Sequence, residues 1–147
     1  MAILSPALDA RRSPRLRWSA PVSLKRRFSD EVLAAIRKSH VIGLRAGAGP
    51  HRFIAVWAVV VAGRVFVRSW SHKPNSWHKV LLKEPRGVIQ VAGADIAVRA
   101  IHTRSERLKD AVSRAYLDKY KTPGSIKYAR DLGRAKSRAT TTELAPL

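Results

Sequence analysis

The chain of 147 residues has no cysteine and a single methionine. Without thiols there is no disulfide framework, no thiolate nucleophile and no Cys-based metal site, and nothing marks an oxidising compartment. Acidic residues are scarce as well: ten Asp and Glu stand against 29 Lys and Arg, a formal net charge of +19. Long apolar runs are missing. The longest, Phe53 to Val61, has the length of a strand and falls well short of the roughly 20 residues a membrane-spanning helix needs. The N-terminus, MAILSPALDARRSPRLRW, places its charge after its apolar residues, unlike a secretory signal. The expectation is a cytoplasmic protein with no membrane partner.

Several chemistries lack their motifs. His40, His51, His72, His78 and His102 show no HExxH or comparable ligand spacing, so no metal is expected. There is no G-x-S-x-G elbow, and Gly47-Ala48-Gly49, closed by Pro50, is too short for a phosphate loop. Glu106, Asp110 and Asp118 lie among basic neighbours and suit surface ion pairs better than a catalytic pair. Hydrolase and nucleotidase chemistry are thereby excluded.

What is present is positive charge, spread along the chain. Arg11, Arg12, Arg15, Arg17, Lys25, Arg26 and Arg27 face only Asp9, and a second concentration runs from Arg99 to Arg138. Such a balance fits a polyanionic partner, nucleic acid first, although solvated basic faces give the same composition. Residues 1–27 hold Pro6, Pro14 and Pro21 without any apolar period, which reads as a flexible basic extension. The folded domain is expected over 28–147.

That domain reads as α+β. Ser29 caps a helix ending near Ser39, and His40 to Ala46 is a short strand. Phe53 to Val61 is a strand apolar on both faces. It turns at Ala62-Gly63, read as a type I turn with a G1 bulge, into an alternating strand from Arg64 to Trp70. Asn75 caps a short helix, and Gly87–Ala92 and Ile96–Ile101 form a second hairpin around Gly93-Ala94-Asp95. Thr103-Arg104-Ser105-Glu106 is a capping box for the longest helix, which Pro123-Gly124 stops. The stretch Ile126–Lys136 fits no single element, and Ala139–Leu144, with three consecutive Thr, is a closing strand. Two or three helices then flank a mainly antiparallel sheet able to close into a small barrel.

The candidate site lies where the first hairpin meets the short helix. Arg68, Lys73 and a helix start at Asn75-Ser76 offer charge and N–H donors to a phosphate, and Trp70 and Trp77 offer rings to a flat ligand. Each Trp on its own reads first as core packing, and Arg68 as an ordinary exposed strand residue.

The run Val59 to Trp70, then Ser76-Trp77-His78, Gly87-Val88-Ile89 with Ala92-Gly93, Ala115-Tyr116 with Lys119-Tyr120, and Arg138-Ala139-Thr140 with Pro146 resembles domain-of-unknown-function family 2255. That family belongs to the flavin-binding split-barrel superfamily, with the pyridoxamine-phosphate oxidases and deazaflavin-dependent nitroreductases. The resemblance implies a homodimer of six-stranded split barrels with a flavin such as FMN, or a deazaflavin, at the subunit interface. The family brings no settled activity, and a small-molecule oxidoreductase is the expectation drawn from the Arg68 to Trp77 cluster and the resemblance together. The resemblance marks Arg68, Ser69, Lys73, Ser76 and Trp77 as cofactor-binding candidates, to which the reading of the residues adds Trp70. Phe66 and His78 depart from it, standing where Tyr is expected. Two alternatives stay open: a nucleic-acid-binding module, and a cofactor-free relative whose own side chains fill the pocket.

Overall fold

The computed structural model describes residues 27–49 and 51–147. The N-terminal extension, apart from Arg27, lies outside the described residues.

Helix α1 (Asp30–Lys38) starts where Ser29 Oγ accepts the Val32 amide, and it turns Leu33 and Ile36 inward. Strands β1 (Ile42–Ala46), β2 (Ile54–Val56), β3 (Ala58–Val61) and β4 (Arg64–Val67) follow, then α2 (Trp77–Lys83). The β5 (Arg86–Val91) and β6 (Ala94–His102) hairpin leads to α3 (Glu106–Lys119), α4 (Ile126–Leu132), α5 (Ala135–Arg138) and β7 (Thr142–Pro146).

All pairings are antiparallel, in the order β2-β1-β5-β6-β7-β4-β3. The two ends of that order, β2 and β3, are halves of one strand interrupted at Trp57. The interruption joins the sheet's edges into a nearly closed barrel, so the expected six strands appear as seven segments. Alternation fills its inside: Leu44, Val65, Val67, Ile89, Val98 and Leu144 are buried in one cluster with Ile36 of α1 and Leu81 of α2. Burying each such aliphatic side chain stabilises by about 1.5–3 kcal/mol. The barrel interior is thus an apolar core.

A second core lies outside that wall. Val59 and Phe66, on the opposite faces of their strands, meet Val112, Tyr116 and Tyr120 of α3 and its end, with Ala129 and Leu132 of α4. Among the described residues the outer side of β5 and β6 has no such cover, and Ala97, Arg99 and Ile101 are exposed there.

Local details depart from the sequence expectations in instructive ways. Val61 pairs with Arg64, so Ala62-Gly63 is a two-residue turn with both φ positive, 53° and 72°, a type I′ geometry without the expected G1 bulge. Ala92-Gly93 repeats it between Val91 and Ala94, one residue earlier than expected. Ser76 caps α2 in place of Asn75, and Ser105 caps α3 where Thr103 was expected. Thr103 instead donates its amide to the Thr141 carbonyl. The stretch from Ile126 resolves into the two short helices α4 and α5, giving five helices among the described residues.

Candidate functional site

The β4–α2 connection, residues 68–76, carries most of the expected site, but it sends the side chains in different directions. Arg68 shares the outward face of Phe66 and is buried, with 2% exposure. Its Nε donates to Thr141 Oγ1 (2.9 Å), Nη1 to Ser113 Oγ (2.8 Å) and the Leu132 carbonyl (2.9 Å), and Nη2 to the Lys109 carbonyl (2.8 Å). Burial pushes this guanidinium down to about 10. Arg68 ties β4, α3, α4 and the lead into β7 together, and its donors are held by the protein. Ser69 is buried too: its amide donates to Thr140 Oγ1 (2.8 Å) and its hydroxyl to the Ser71 carbonyl (2.8 Å).

The three threonines explain these contacts. Besides serving Ser69, Thr140 Oγ1 donates to the Ser137 carbonyl, and Thr141 Oγ1, the acceptor of Arg68, donates to the Arg138 carbonyl. A run that reads as strand propensity thus works largely as a row of hydroxyls, with only Thr142 in β7.

Trp70 and Lys73 point outward. Trp70 is 43% exposed and meets Trp57 edge-on at 5.2 Å. Lys73 is exposed and has no ion pair among the described residues. Ser76 Oγ accepts the Lys79 amide at a long 3.4 Å, and Trp77 is half-buried against the barrel core.

Two features here are not legible from motif spacing. His78, buried in α2, leaves Nε2 with no hydrogen-bond partner among the described residues. Its ring lies 6.4 Å from that of His102 at the end of β6. Burial first, then His102, hold His78 below its ordinary value, and burial with Arg104 does the same to His102. No group of three or more potential ligands is placed to hold a metal among the described residues. The second feature is an aromatic chain. Trp57 stacks on Tyr120 at 3.8 Å, Trp70 abuts Trp57, and Tyr128 of α4 abuts Trp70 at 6.4 Å. Tyr128 falls in the stretch that showed no clear period. Among the described residues no helix is long and apolar enough to cross a membrane.

With this geometry in place, sequence comparison identifies the chain. The pattern of the family described as "Uncharacterized protein conserved in bacteria (DUF2255)" matches residues 31–144. The chain belongs to the DUF2255 family. No curated protein matches it. Among solved structures, this DUF2255 chain is similar to the conserved hypothetical protein Rv2991 of Mycobacterium tuberculosis, with TM-score 0.55 and 14% identity over 88% of this chain and 85% of that one. It is also similar to a pyridoxamine 5′-phosphate oxidase-like protein of Listeria innocua, with TM-score 0.53 and 11% identity over 80% and 90% of the two chains. A third is an FAD-binding protein of Mesorhizobium loti, with TM-score 0.51 and 14% identity over 84% and 92%. At these identities the likeness is one of fold, and it places the DUF2255 chain among the split barrels.

Proposed function

We propose that this DUF2255 chain binds a flavin-type cofactor, FMN or a deazaflavin, against the outer barrel wall beside the 68–78 segment, and uses it to oxidise or reduce a small molecule. The observation that carries the reading is the buried Nε2 of His78, which has no partner among the described residues. A polar atom removed from water without a partner destabilises the fold, and a ligand atom is one way to satisfy it. The same segment carries other groups that suit such a ligand: the Lys73 ammonium suits a phosphate, Ser76 is only weakly engaged as a cap, and Trp77, beside His78, presents a ring. A fold shared with an FAD-binding protein and an oxidase-like protein supports the same class.

Bound there, the cofactor would supply the electron chemistry. The chain's part is to hold it: Lys73 neutralises the phosphate, His78 offers a neutral ring nitrogen, and Arg68 with Ser69 fixes the start of the segment from behind. In this reading Arg68 positions the site without touching the ligand. The uncovered outer face of β5 and β6, with Ala97 and Ile101 exposed, supports a second copy packing there as a homodimer.

Titrating FMN and a deazaflavin into wild-type and Lys73→Glu protein, with ligand fluorescence as readout, tests the site. Reversing the charge at a phosphate contact is expected to weaken binding at least about tenfold. Equal affinities for the two proteins would move the phosphate elsewhere.

A further inference from the structure

We propose that the surface built from Trp70, Tyr128, Lys121, Lys127 and Arg130 binds single-stranded nucleic acid without regard to base sequence. The first support is a pair of exposed rings. Trp70 is 43% and Tyr128 46% exposed, at 6.4 Å centroid separation and 85° between planes. Both are large aromatic surfaces left in water by a fold that buries Tyr116 and Tyr120 completely or nearly so, at 0% and 2%. Trp70 is held from beneath, because Trp57 meets its edge and is itself stacked on Tyr120. A ring fixed in this way offers a stacking face without losing rotamer freedom on binding.

The second support is charge of one sign around those rings. Lys127 Nζ lies 5.1 Å from the centre of the Tyr128 ring, and Arg130 is one helical turn from Lys127. Lys121, Lys127 and Arg130 are exposed and form no ion pair among the described residues. From 119 to 130, and from 70 to 83, there is no Asp or Glu at all. Four acids outside these stretches are engaged, Glu106 and Asp110 by Arg138, Asp131 by Arg134 and Glu143 by Arg64, while Asp118, one turn before Lys121, has no ion pair among the described residues. A surface that joins free cations to exposed rings matches a polymer joining phosphates to flat bases. Single strands fit better than duplex, whose bases are stacked on one another and hide their faces.

The test uses the full chain and fluorescence anisotropy with labelled oligo-dT and oligo-U, a duplex of equal length, and vesicles carrying anionic phospholipid. Single strands are expected to bind more tightly than duplex, with affinity falling as salt rises. The Lys127→Ala, Arg130→Ala double variant should make the log–log salt slope shallower by about 1.4, at roughly 0.7 per single-strand phosphate contact. Tyr128→Ala should weaken binding about tenfold at every salt concentration, as expected for one stacked base. Arg52→Ala, exposed in the connection between β1 and β2 and outside that surface, should change neither. If Tyr128→Ala fails to fold, the Lys127, Arg130 variant decides alone, because both side chains are exposed. Equal binding of duplex, wild-type affinity and slope in these variants, or binding to vesicles without binding to oligonucleotides would each overturn the proposal.

Discussion

Trp57 and Tyr120 stack face to face, with ring centroids 3.8 Å apart and planes 2° from parallel. The stack sits at the break between β2 and β3. Side chains from the end of α3 secure the backbone on either side of it. Tyr116 Oη donates to the Trp57 carbonyl (2.7 Å), Lys119 Nζ to the Ala58 and Ile36 carbonyls (2.6 and 2.8 Å), and Tyr120 Oη to the His40 carbonyl (2.6 Å). A strand apolar on both faces can therefore leave one sheet edge and join the other without orphaning its carbonyls.

Truncating Trp57 to Ala should destabilise the protein by about 3 kcal/mol, because a large ring and its partner's packing are lost together. Tyr120→Phe keeps the stack and removes only the hydroxyl, at a cost of about 1–2 kcal/mol. Urea unfolding midpoints check both, and the ordering Trp57→Ala below Tyr120→Phe is the discriminating result.

The barrel was legible in the sequence because its determinants are periodic: the two-faced strand, the alternation of Arg64 to Trp70 and the Ala-Gly turns. The site was less so. Alternation puts Arg68 on the Phe66 face correctly, but nothing local reveals that α3 and α4 cover that face and engage the guanidinium. Tyr128 and the His78–His102 pair come together only through tertiary packing, across 58 residues for Trp70 and Tyr128.

The turns carry a built-in inefficiency. Ala62 and Ala92 sit at φ of 53° and 50°, where an L side chain is strained and Asn or Gly is preferred. Ala62→Asn and Ala92→Asn should each stabilise by about 0.5–1 kcal/mol. Gly87→Ala should do the opposite, since its Cβ would stand 2.5 Å from the Arg45 carbonyl oxygen and force β1 away from β5. A cost of about 1–3 kcal/mol is expected. Thermal melting of the three variants suffices, and an unstabilised Asn pair would refute the strain.

Stability should depend on pH in a particular way. Burial pushes Lys119 down to about 8 from 10.5. Between those values the unfolded chain holds a proton that the folded chain has released, so stability rises with pH across the window. Above 10 the slope should reverse. Burial raises Tyr116 and Tyr120 above the ordinary 10.0, so unfolding there releases phenolic protons. Arg68, lowered to about 10 from 12.5, opposes this as one group against two. Denaturation midpoints from pH 7 to 11 should rise and then fall, and Lys119→Met should flatten the rise. An unchanged rise in that variant would assign it to another group.

His78→Phe separates folding from binding. Replacing a buried ring with an unpartnered nitrogen by an apolar ring should raise stability by about 1 kcal/mol, by removing the desolvated atom. The same change should weaken cofactor binding, since the nitrogen assigned to the ligand is gone. Weakened binding together with lowered stability would mean simple damage to the fold.

The most direct measurement is titration of the wild-type chain with FMN and with a deazaflavin, following cofactor fluorescence at equilibrium. The expected result is saturable quenching by at least one of them at one ligand per chain. Neither quenching nor spectral shift with either, on folded protein, would contradict the cofactor assignment and leave a split barrel that has kept the fold without the flavin.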